Sequence, residues 1–229
     1  MSIILCIETS STNCSVALAT AATGSFKNEY GIVHCLDLIE DQSASYSHGE
    51  KLHVYIQDIL AKNNLTPKDL SAIAVSAGPG SYTGLRIGIA SAKGLCYALD
   101  IPLLAIPTLQ AIARLDINKA QITIPMLDAR RMEVYAAVFR NNVSLEDATP
   151  VALELDSFLA YRKTGTVAFV GTGTEKVKNL VGETATTYFT EIQPTALVMC
   201  ELAVTAYKKN DTVDVAYFEP LYLKEFKAG

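Results

Sequence analysis

The side chains that could carry out chemistry are few, and their spacing does not match a metalloprotease. The three histidines are His34, His48 and His53. A zinc-protease helix places two histidines four residues apart, so that both face one metal ion. His48 and His53 are five apart, which puts them about 140° apart around a helix of 3.6 residues per turn. The sequence therefore predicts no metal site, with His53 at the surface and His48 at the surface or at a helix cap.

Nucleophilic patterns are also missing from the sequence. There is no Gly-x-Ser-x-Gly elbow, and no cysteine has an evident histidine partner. The five cysteines are scattered and form no C-x-x-C pair, which favours reduced thiols over a disulfide framework. These cysteines are Cys6, Cys14, Cys35, Cys96 and Cys200.

A glycine-rich loop, Gly78–Gly84, lies between a predicted strand and a predicted helix. Backbone amides at the start of a helix can bind anions. However, the spacing does not fit the nucleotide P-loop, and in the dinucleotide pattern the third glycine would fall at Thr83. The loop therefore has two interpretations: an anion site, or a tight turn in which Ser81 or Thr83 caps the helix.

Two carboxylates stand in positions where they could serve a polar site. Glu8 ends a buried strand and is followed by the hydroxyl residues Thr9 and Ser10. Asp128 precedes Arg130 and Arg131 at the tip of a predicted hairpin. For this tip the alternatives are a polar site and a turn aspartate with solvated arginines.

Hydrophobic periodicity predicts an α/β protein. The chain opens as an antiparallel meander and continues with alternating helices and strands, a pattern typical of a mixed sheet with flanking helices. The elements of the first half are strands at Ile3–Ile7, Cys14–Ala19, Phe26–Tyr30, Val33–Ile39, Ile73–Ala77 and Leu103–Ile106, with helices at Glu50–Asn63 and Leu85–Leu99. Those of the second half are a helix at Pro107–Arg114, a hairpin of Ile122–Leu127 and Met132–Phe139, a strand at Val167–Val170 and a helix at Pro194–Lys208. We expect two lobes, 1–106 and 107–229, and allow the terminal segment to pack back on the first.

Length and charge narrow the classes of function. The chain has 229 residues, half of them hydrophobic, and a net charge of −5. Free-standing nucleic-acid binders usually carry a basic surplus, so this balance argues against that class but leaves room for a local basic patch. No secretory signal and no apolar run of about eighteen residues is present, and we expect a cytoplasmic protein without a membrane span.

The helix after the glycine loop carries two stripes of small residues. Glycine inside a helix costs roughly 1 kcal/mol relative to alanine, so the interior glycines need a compensating reason. Small residues let another backbone approach closely. Both stripes could pack within the lobe, or one could meet the core and the other a partner helix. The stripes are Gly84, Gly88 and Ala92, and Ala90, Gly94 and Ala98.

Several segments together resemble the TsaB (YeaZ) family. The Gly-Pro-Gly-Ser-Tyr-Thr-Gly-Leu-Arg run at 78–86 is the most specific of them. The others appear in the family's order and cover most of the chain. They are Ile7–Ser10, His48–Leu52, Ile106–Leu109, Asp128–Tyr135 and Pro220–Leu223.

The resemblance implies a two-lobed actin-like ATPase (ASKHA) fold and a place in the complex that installs threonylcarbamoyl on the adenosine next to the tRNA anticodon. In that family the subunit is non-catalytic. It pairs with a TsaD-type catalytic paralogue, a TsaE-type ATPase joins the pair, and the same surface serves a homodimer when the partner is absent. Contact with tRNA is expected only through the complex.

By the same resemblance, the partner surface lies on the two helices of the first lobe, and we expect the partner to pack on the Gly88/Ala92 stripe. The expected interface residues are Leu52, Tyr55, Ile56, Ile59, Ser81, Tyr82, Thr83, Leu85, Gly88, Ala92 and Cys96. A vestigial nucleotide site would involve Glu8, Thr9, Ser10 and Asp128.

The sequence departs from the ATP-binding members of this fold at two places. The phosphate loop, Glu8–Ser11, has no glycine, and the adenine-binding Gly-Gly-x-x-x-Asn motif is absent. We therefore expect no cofactor. The alternatives are an ATP-dependent small-molecule kinase or ATPase of the same fold and, third, a metallopeptidase.

Overall fold

The computed structural model describes residues 2–21, 34–41 and 48–224. By their contacts these residues form two compact units, one of Met1–Thr108 with Pro194–Leu221 and one of Leu109–Gln193 with Tyr222–Gly229. The segment that follows Pro194 therefore belongs with the N-terminal part of the chain. Within the described ranges, no helix is both long and apolar enough to cross a membrane.

The first unit is built on a mixed five-stranded sheet. Its strands are β1 (Ile3–Glu8), β2 (Cys14–Thr20), β3 (Cys35–Asp41), β4 (Leu70–Ser76) and β5 (Leu103–Ile106), in the order β3-β2-β1-β4-β5. Strands β1, β2 and β3 pair antiparallel, as the predicted meander requires, whereas β4 pairs parallel with both β1 and β5. Every residue of β1 and β2 is buried, because helices cover both faces of the sheet.

Helices α1 (His48–Lys62) and α2 (Tyr82–Leu99) pack on one face of this sheet. Their apolar residues recur every three to four positions, so each helix turns one stripe to the core. Ser81 caps α2, since its hydroxyl accepts a hydrogen bond from the Gly84 amide at 3.3 Å. A short 3-10 turn at Pro67–Asp69 joins α1 to β4.

The second unit contains the short helices α3 (Thr108–Ala113), which begins at the unit boundary, and α4 (Leu159–Arg162), and the helix α5 (Thr174–Val181). Its sheet contains β6 (Ile122–Asp128), β7 (Glu133–Arg140), β8 (Val143–Ala152), β9 (Val167–Gly171) and β10 (Thr187–Thr190), in the order β10-β9-β6-β7-β8. The core of the unit is centred on Phe169, which stacks on Phe189 at 5.3 Å between ring centroids.

Helix α6 (Ala196–Lys209) covers the second face of the first sheet, where it contacts β1, β2 and β3. Its Cys200 thiol contacts the thiols of Cys6 and Cys35. The facing positions of β2 are Ala17 and Ala19, and these small side chains leave room for the helix. All five cysteines are free and buried.

The two sheets share one topology. In each, the first three strands are antiparallel and the fourth and fifth pair parallel, so β1 to β5 correspond in order to β6 to β10. The turn after β1 therefore corresponds to the turn after β6, and Glu8 corresponds to Asp128. The α/β architecture expected from the sequence, two mixed sheets with flanking helices, is confirmed.

The element boundaries agree with the sequence within a few residues at most positions. Strands β8 and β10 and helices α4 and α5 were not predicted. The strand predicted at Phe26–Tyr30 and the start of the one at Val33–Ile39 lie outside the described residues. His48 corrects another expectation: it begins α1 as a buried side chain, and its Nε2 lies 2.8 Å from the Ser11 carbonyl oxygen.

Candidate functional site

The glycine-rich loop packs against the turn after β1. The Ser81 amide donates a hydrogen bond to the Ser10 carbonyl at 2.6 Å, and the Thr9 hydroxyl donates to the Gly84 carbonyl at 2.8 Å. A Cβ at Gly80 would lie 2.5 Å from the Ser10 carbonyl oxygen, and one at Gly84 would clash with the Thr9 carbonyl oxygen. The glycines therefore permit backbone to touch backbone, and of the two interpretations of this loop the tight packing turn is the one its geometry supports.

The turn itself is polar and sealed. Glu8, Thr9 and Asn13 have no exposed surface, and Ser10 has almost none. One oxygen of the Glu8 carboxyl, Oε1, accepts a hydrogen bond from the Ser10 amide at 2.5 Å. The other, Oε2, has no hydrogen-bond partner among the described residues. Burial raises the pKa of this carboxyl, although hydrogen bonds from Ser10, Ser76 and Thr9 oppose the shift.

Of the four residues expected at a vestigial nucleotide site, three lie together in this sealed turn: Glu8, Thr9 and Ser10. Asp128 lies in the second unit, where it is exposed and its Oδ1 forms an ion pair with Lys176 Nζ at 2.7 Å. A phosphate group at the start of α2 would have to displace the Thr9–Ser10 backbone that now occupies that position.

Most of the expected partner-contact residues face the interior of the first unit. The Gly88/Ala92 placement is therefore wrong as stated: Ala92 is fully buried, and a Cβ on Gly88 would clash with the Thr9 hydroxyl. The stripe of Gly84, Gly88 and Ala92 meets the chain's own β1–β2 turn and core. The buried members of the expected set are Leu52, Ile56, Ile59, Leu85, Gly88, Ala92 and Cys96.

The remaining four expected residues do reach solvent. Thr83 is exposed, and Ser81 and Tyr82 at the start of α2 are half-buried. The guanidinium of Arg86 lies 4.6 Å from the centre of the Tyr82 ring. On α1, Tyr55 is half-buried at the edge of the core.

The second stripe of small residues is the one that opens to solvent. Ala90 and Gly94 on α2 line a shallow groove between the two helices, together with Ser91, Leu95 and His53 of α1. The Ser91 hydroxyl lies 3.2 Å from His53 Nε2 across this groove. Spacing alone identified both stripes, but it could not show which one faces outward.

Gly94 lies inside a helix at a position where no described residue requires a glycine. A Cβ built at this position would meet no atom within 4 Å, and the residue lies in the middle of an eighteen-residue helix. The helix is therefore weaker at Gly94 than it would be with alanine, without a compensating contact among the described residues. Nearby on the same helix, Tyr97 is 87% exposed, and Val54 of α1 is 49% exposed.

The exposed surface formed by α1 and α2 will be called the outer helical face, defined by His53, Val54, Ala90, Gly94 and Tyr97. It combines a flat stripe of small residues with large exposed apolar side chains. Such a combination allows close approach of another helix and offers apolar area to bury. Its chemistry is that of a protein-docking surface.

A protein-family model matches residues 39–228 of the chain. That family is described as TsaD: tRNA N6-adenosine threonylcarbamoyltransferase. The match begins near the end of β3, so it leaves out β1 and β2 and includes all five strands of the second sheet.

Two curated relatives align over nearly the whole chain. The tRNA threonylcarbamoyladenosine biosynthesis protein TsaB of Haemophilus influenzae is 29% identical over 96% of this chain and 93% of its own length. The protein of the same name from Escherichia coli is 29% identical over 96% of this chain and 94% of its own length.

Among solved structures, two from Pseudomonas aeruginosa have the same fold. One, an uncharacterized protein described as similar to the peptidase YeaZ, has a TM-score of 0.77 at 24% identity and covers 98% of this chain and 100% of its own. The other, YeaZ, has a TM-score of 0.75 at 24% identity, with coverage of 97% and 100%.

Proposed function

The chain belongs to the family described as TsaD: tRNA N6-adenosine threonylcarbamoyltransferase, and on that premise we propose that it is a non-catalytic subunit of the TsaB type. In this role it docks on a TsaD-type catalytic relative and supports the transfer of threonylcarbamoyl to the adenosine next to the tRNA anticodon. The TsaB proteins of Haemophilus influenzae and Escherichia coli match it over more than nine-tenths of both chains.

The observation that carries the docking role is the outer helical face. Gly94 lowers helix stability without a compensating contact among the described residues, while Tyr97 on the same helix and Val54 on α1 expose apolar surface. A partner helix that lies along Ala90 and Gly94 would bury this surface and restore the lost free energy through close packing. The partner contact is thereby moved from the Gly88/Ala92 stripe to the opposite side of α2.

The non-catalytic role is supported by the state of the polar turn. Glu8 occupies the position at which the fold's catalytic members would act, yet it is sealed beneath the glycine loop. Burial raises the pKa of its carboxyl and so favours the neutral form.

In this role the chain would belong to a larger assembly. A TsaE-type ATPase would join the pair, tRNA would be bound through the complex, and two copies would associate through the outer helical face when the catalytic relative is absent. The assembly would act in the cytoplasm.

A substitution at Gly94 tests the docking role. Gly94→Leu places a large side chain in open space, so the chain should fold with unchanged circular dichroism but lose co-purification with the TsaD-type relative from its native lysate. The matched control Gly94→Ala should keep the partner, because a single methyl group is tolerated more easily than a branched side chain at a close helix contact.

Retained co-purification by a folded Gly94→Leu variant would refute the placement on the outer helical face. The lone chain should also be titrated with Mg-ATP by calorimetry. Tight binding with turnover would replace the proposed function by that of a kinase or ATPase.

A further inference from the structure

The turn after β6 contains two arginines, Arg130 and Arg131, that have no part in the proposed docking role. Arg130 and Arg131 both have left-handed backbone conformations, with φ of 67° and 48°. This region is unfavourable for residues with a Cβ and is populated mainly by glycine, asparagine and aspartate. The turn therefore contains two arginines where the backbone favours other residue types.

The next hairpin of the same sheet provides an internal reference. Between β7 and β8, Asn141 and Asn142 have φ of 50° and 66°, and they form a two-residue connection of the kind that asparagine favours. The same sheet thus uses asparagine where only a turn is needed. The arginines after β6 are not explained by turn geometry, and backbone strain of this kind concentrates at functional positions.

Among the described residues, the two carboxylates nearest in sequence to the arginines are each paired with a lysine. The Asp128 carboxylate accepts hydrogen bonds from the Arg130 amide at 2.6 Å and from Lys176 Nζ at 2.7 Å. The Glu133 carboxylate is paired with Lys224, and this pair, together with the charges of Arg131 and Lys176, holds the pKa of that carboxyl below its ordinary value. Each carboxylate thus has its own lysine.

Neither arginine has an ion pair with a carboxylate among the described residues, and both are exposed together with Met132. The two lysine pairs cancel the negative charges that would otherwise repel an anion. A local charge of +2 is therefore displayed at the tip of a hairpin on a chain whose net charge is −5. At physiological salt, charges are screened beyond about 8 Å, so this local charge acts mainly on groups close to the tip.

The geometry points to a contact between the 130–131 tip and the backbone phosphates of RNA. Each guanidinium can donate paired hydrogen bonds to one phosphate, and two neighbouring arginines on a protruding turn suit successive phosphates of one strand. The choice of RNA among polyanions rests on the proposed function. The tip would help to orient tRNA within the assembly, and because it offers few base-reading groups, its contribution should be independent of sequence.

Two double substitutions with the same loss of charge test this inference. Arg130→Asn with Arg131→Asn removes the two arginines and supplies the residue type found in the neighbouring hairpin, so folding should be preserved. Lys208→Asn with Lys209→Asn removes two exposed charges at the end of α6 and serves as the matched control. Binding of a fluorescein-labelled tRNA transcript should be followed by anisotropy over a range of salt concentrations, for the full chain and for its complex with the catalytic relative.

The arginine variant should lose affinity on the order of tenfold at 0.1 M salt, and the slope of log K against log salt should fall by about 2. The lysine variant should match the wild type. Arg130→Lys with Arg131→Lys should keep most of the slope, because the charge remains. Equal slopes for all variants, an equal loss in both Asn variants, or no RNA binding by the wild-type complex would each overturn the inference.

Co-purification with the catalytic relative separates this test from that of the proposed function. If the chain captures its partner but its RNA binding does not depend on the arginines, the proposed function stands and the contact at the tip is refuted. If the chain binds RNA through the arginines but captures no partner, the contact at the tip stands and the docking role is refuted.

Discussion

The turn after β1 and the turn after β6 occupy equivalent places in two sheets of the same topology, yet they differ in exposure. In the first, Glu8, Thr9 and Asn13 are fully buried. In the second, Asp128, Arg130 and Arg131 are exposed. Both turns follow a strand that ends in a carboxylate, so the difference lies in what packs against them.

The loop after the fourth strand of each sheet explains this difference. In the first unit, Gly80 and Gly84 bring the loop directly onto the turn residues, and water is excluded. In the second unit, Gly171 approaches the Met126 carbonyl within β6, and the Thr172 hydroxyl accepts a hydrogen bond from the Asp128 amide at 3.1 Å. The contact of this loop with β6 stops at Asp128, so the loop does not cover Arg130 and Arg131. The same strand topology is therefore compatible with a buried turn, as in the first unit, and with an exposed, charged turn, as in the second.

The largest expected effect comes from breaking the contact of the first turn. Gly84→Ala should destabilise the protein by about 3 kcal/mol, because the added methyl group collides with the Thr9 backbone, which cannot rotate away as a side chain would. Chemical denaturation followed by circular dichroism measures the change. Gly173→Ala is the equivalent test in the second unit, and its effect should be smaller, since the nearest atom there belongs to the Val134 side chain.

Equal losses at the two positions would contradict this account. They would mean that the loops contribute equally and that the burial of the first turn has another cause.

Sequence patterns predicted the elements of the first unit well because its helices and strands are buried on defined faces. The apolar spacing of Leu52, Ile56 and Ile59 identified α1, and the packing confirms it. Strand β8 was missed because almost all of its residues are exposed, so it carries no continuous apolar run. An edge strand of this kind is stabilised mainly by its neighbour.

The orientation of α2 could not be predicted from its sequence. Both stripes of small residues have the same spacing, and the choice between them depends on Thr9, which lies 75 positions away from its hydrogen-bond partner Gly84. His48 gives the same lesson, since its burial depends on a contact with Ser11, 37 positions away. Local patterns find a helix, but distant contacts decide which face is free.

The second expected effect concerns the conformation of the exposed turn. Arg130→Asn with Arg131→Asn should stabilise the protein by about 2 kcal/mol, because asparagine adopts the left-handed region more readily than arginine. The reverse change in the neighbouring hairpin, Asn141→Arg with Asn142→Arg, should destabilise it by a similar amount. Denaturation midpoints of both variants provide the measurement, at high salt so that charge effects are screened.

If the asparagine variant is no more stable than the wild type, the arginines are not strained in this turn. Backbone strain would then give no reason to expect that Arg130 and Arg131 serve a contact.

The third expected effect uses the buried carboxyl of the first turn. The pKa of Glu8 is raised above its ordinary value of 4.5 mainly by burial. Below that value the group is protonated in both the folded and unfolded chains, so it adds no pH dependence. Above it, the unfolded chain loses the proton while the folded chain keeps it. Stability therefore falls with rising pH, by about 1.4 kcal/mol for each pH unit, until the folded pKa is reached.

Glu8→Gln removes this titration while keeping nearly the same shape. The difference in unfolding free energy between the variant and the wild type should grow in favour of the variant as pH rises above 4.5. The difference should then become constant above the folded pKa of Glu8.

A change in hydrogen bonding caused by the new amide of the Glu8→Gln variant adds only a constant offset to this difference in unfolding free energy. The contributions of the other titrating groups cancel, because they are the same in both proteins. Parallel stability curves for the two proteins between pH 4 and pH 8, a range of about four units, would show that Glu8 ionises normally in the folded chain. The first turn would then be open to water, and its contrast with the exposed turn of the second unit would disappear.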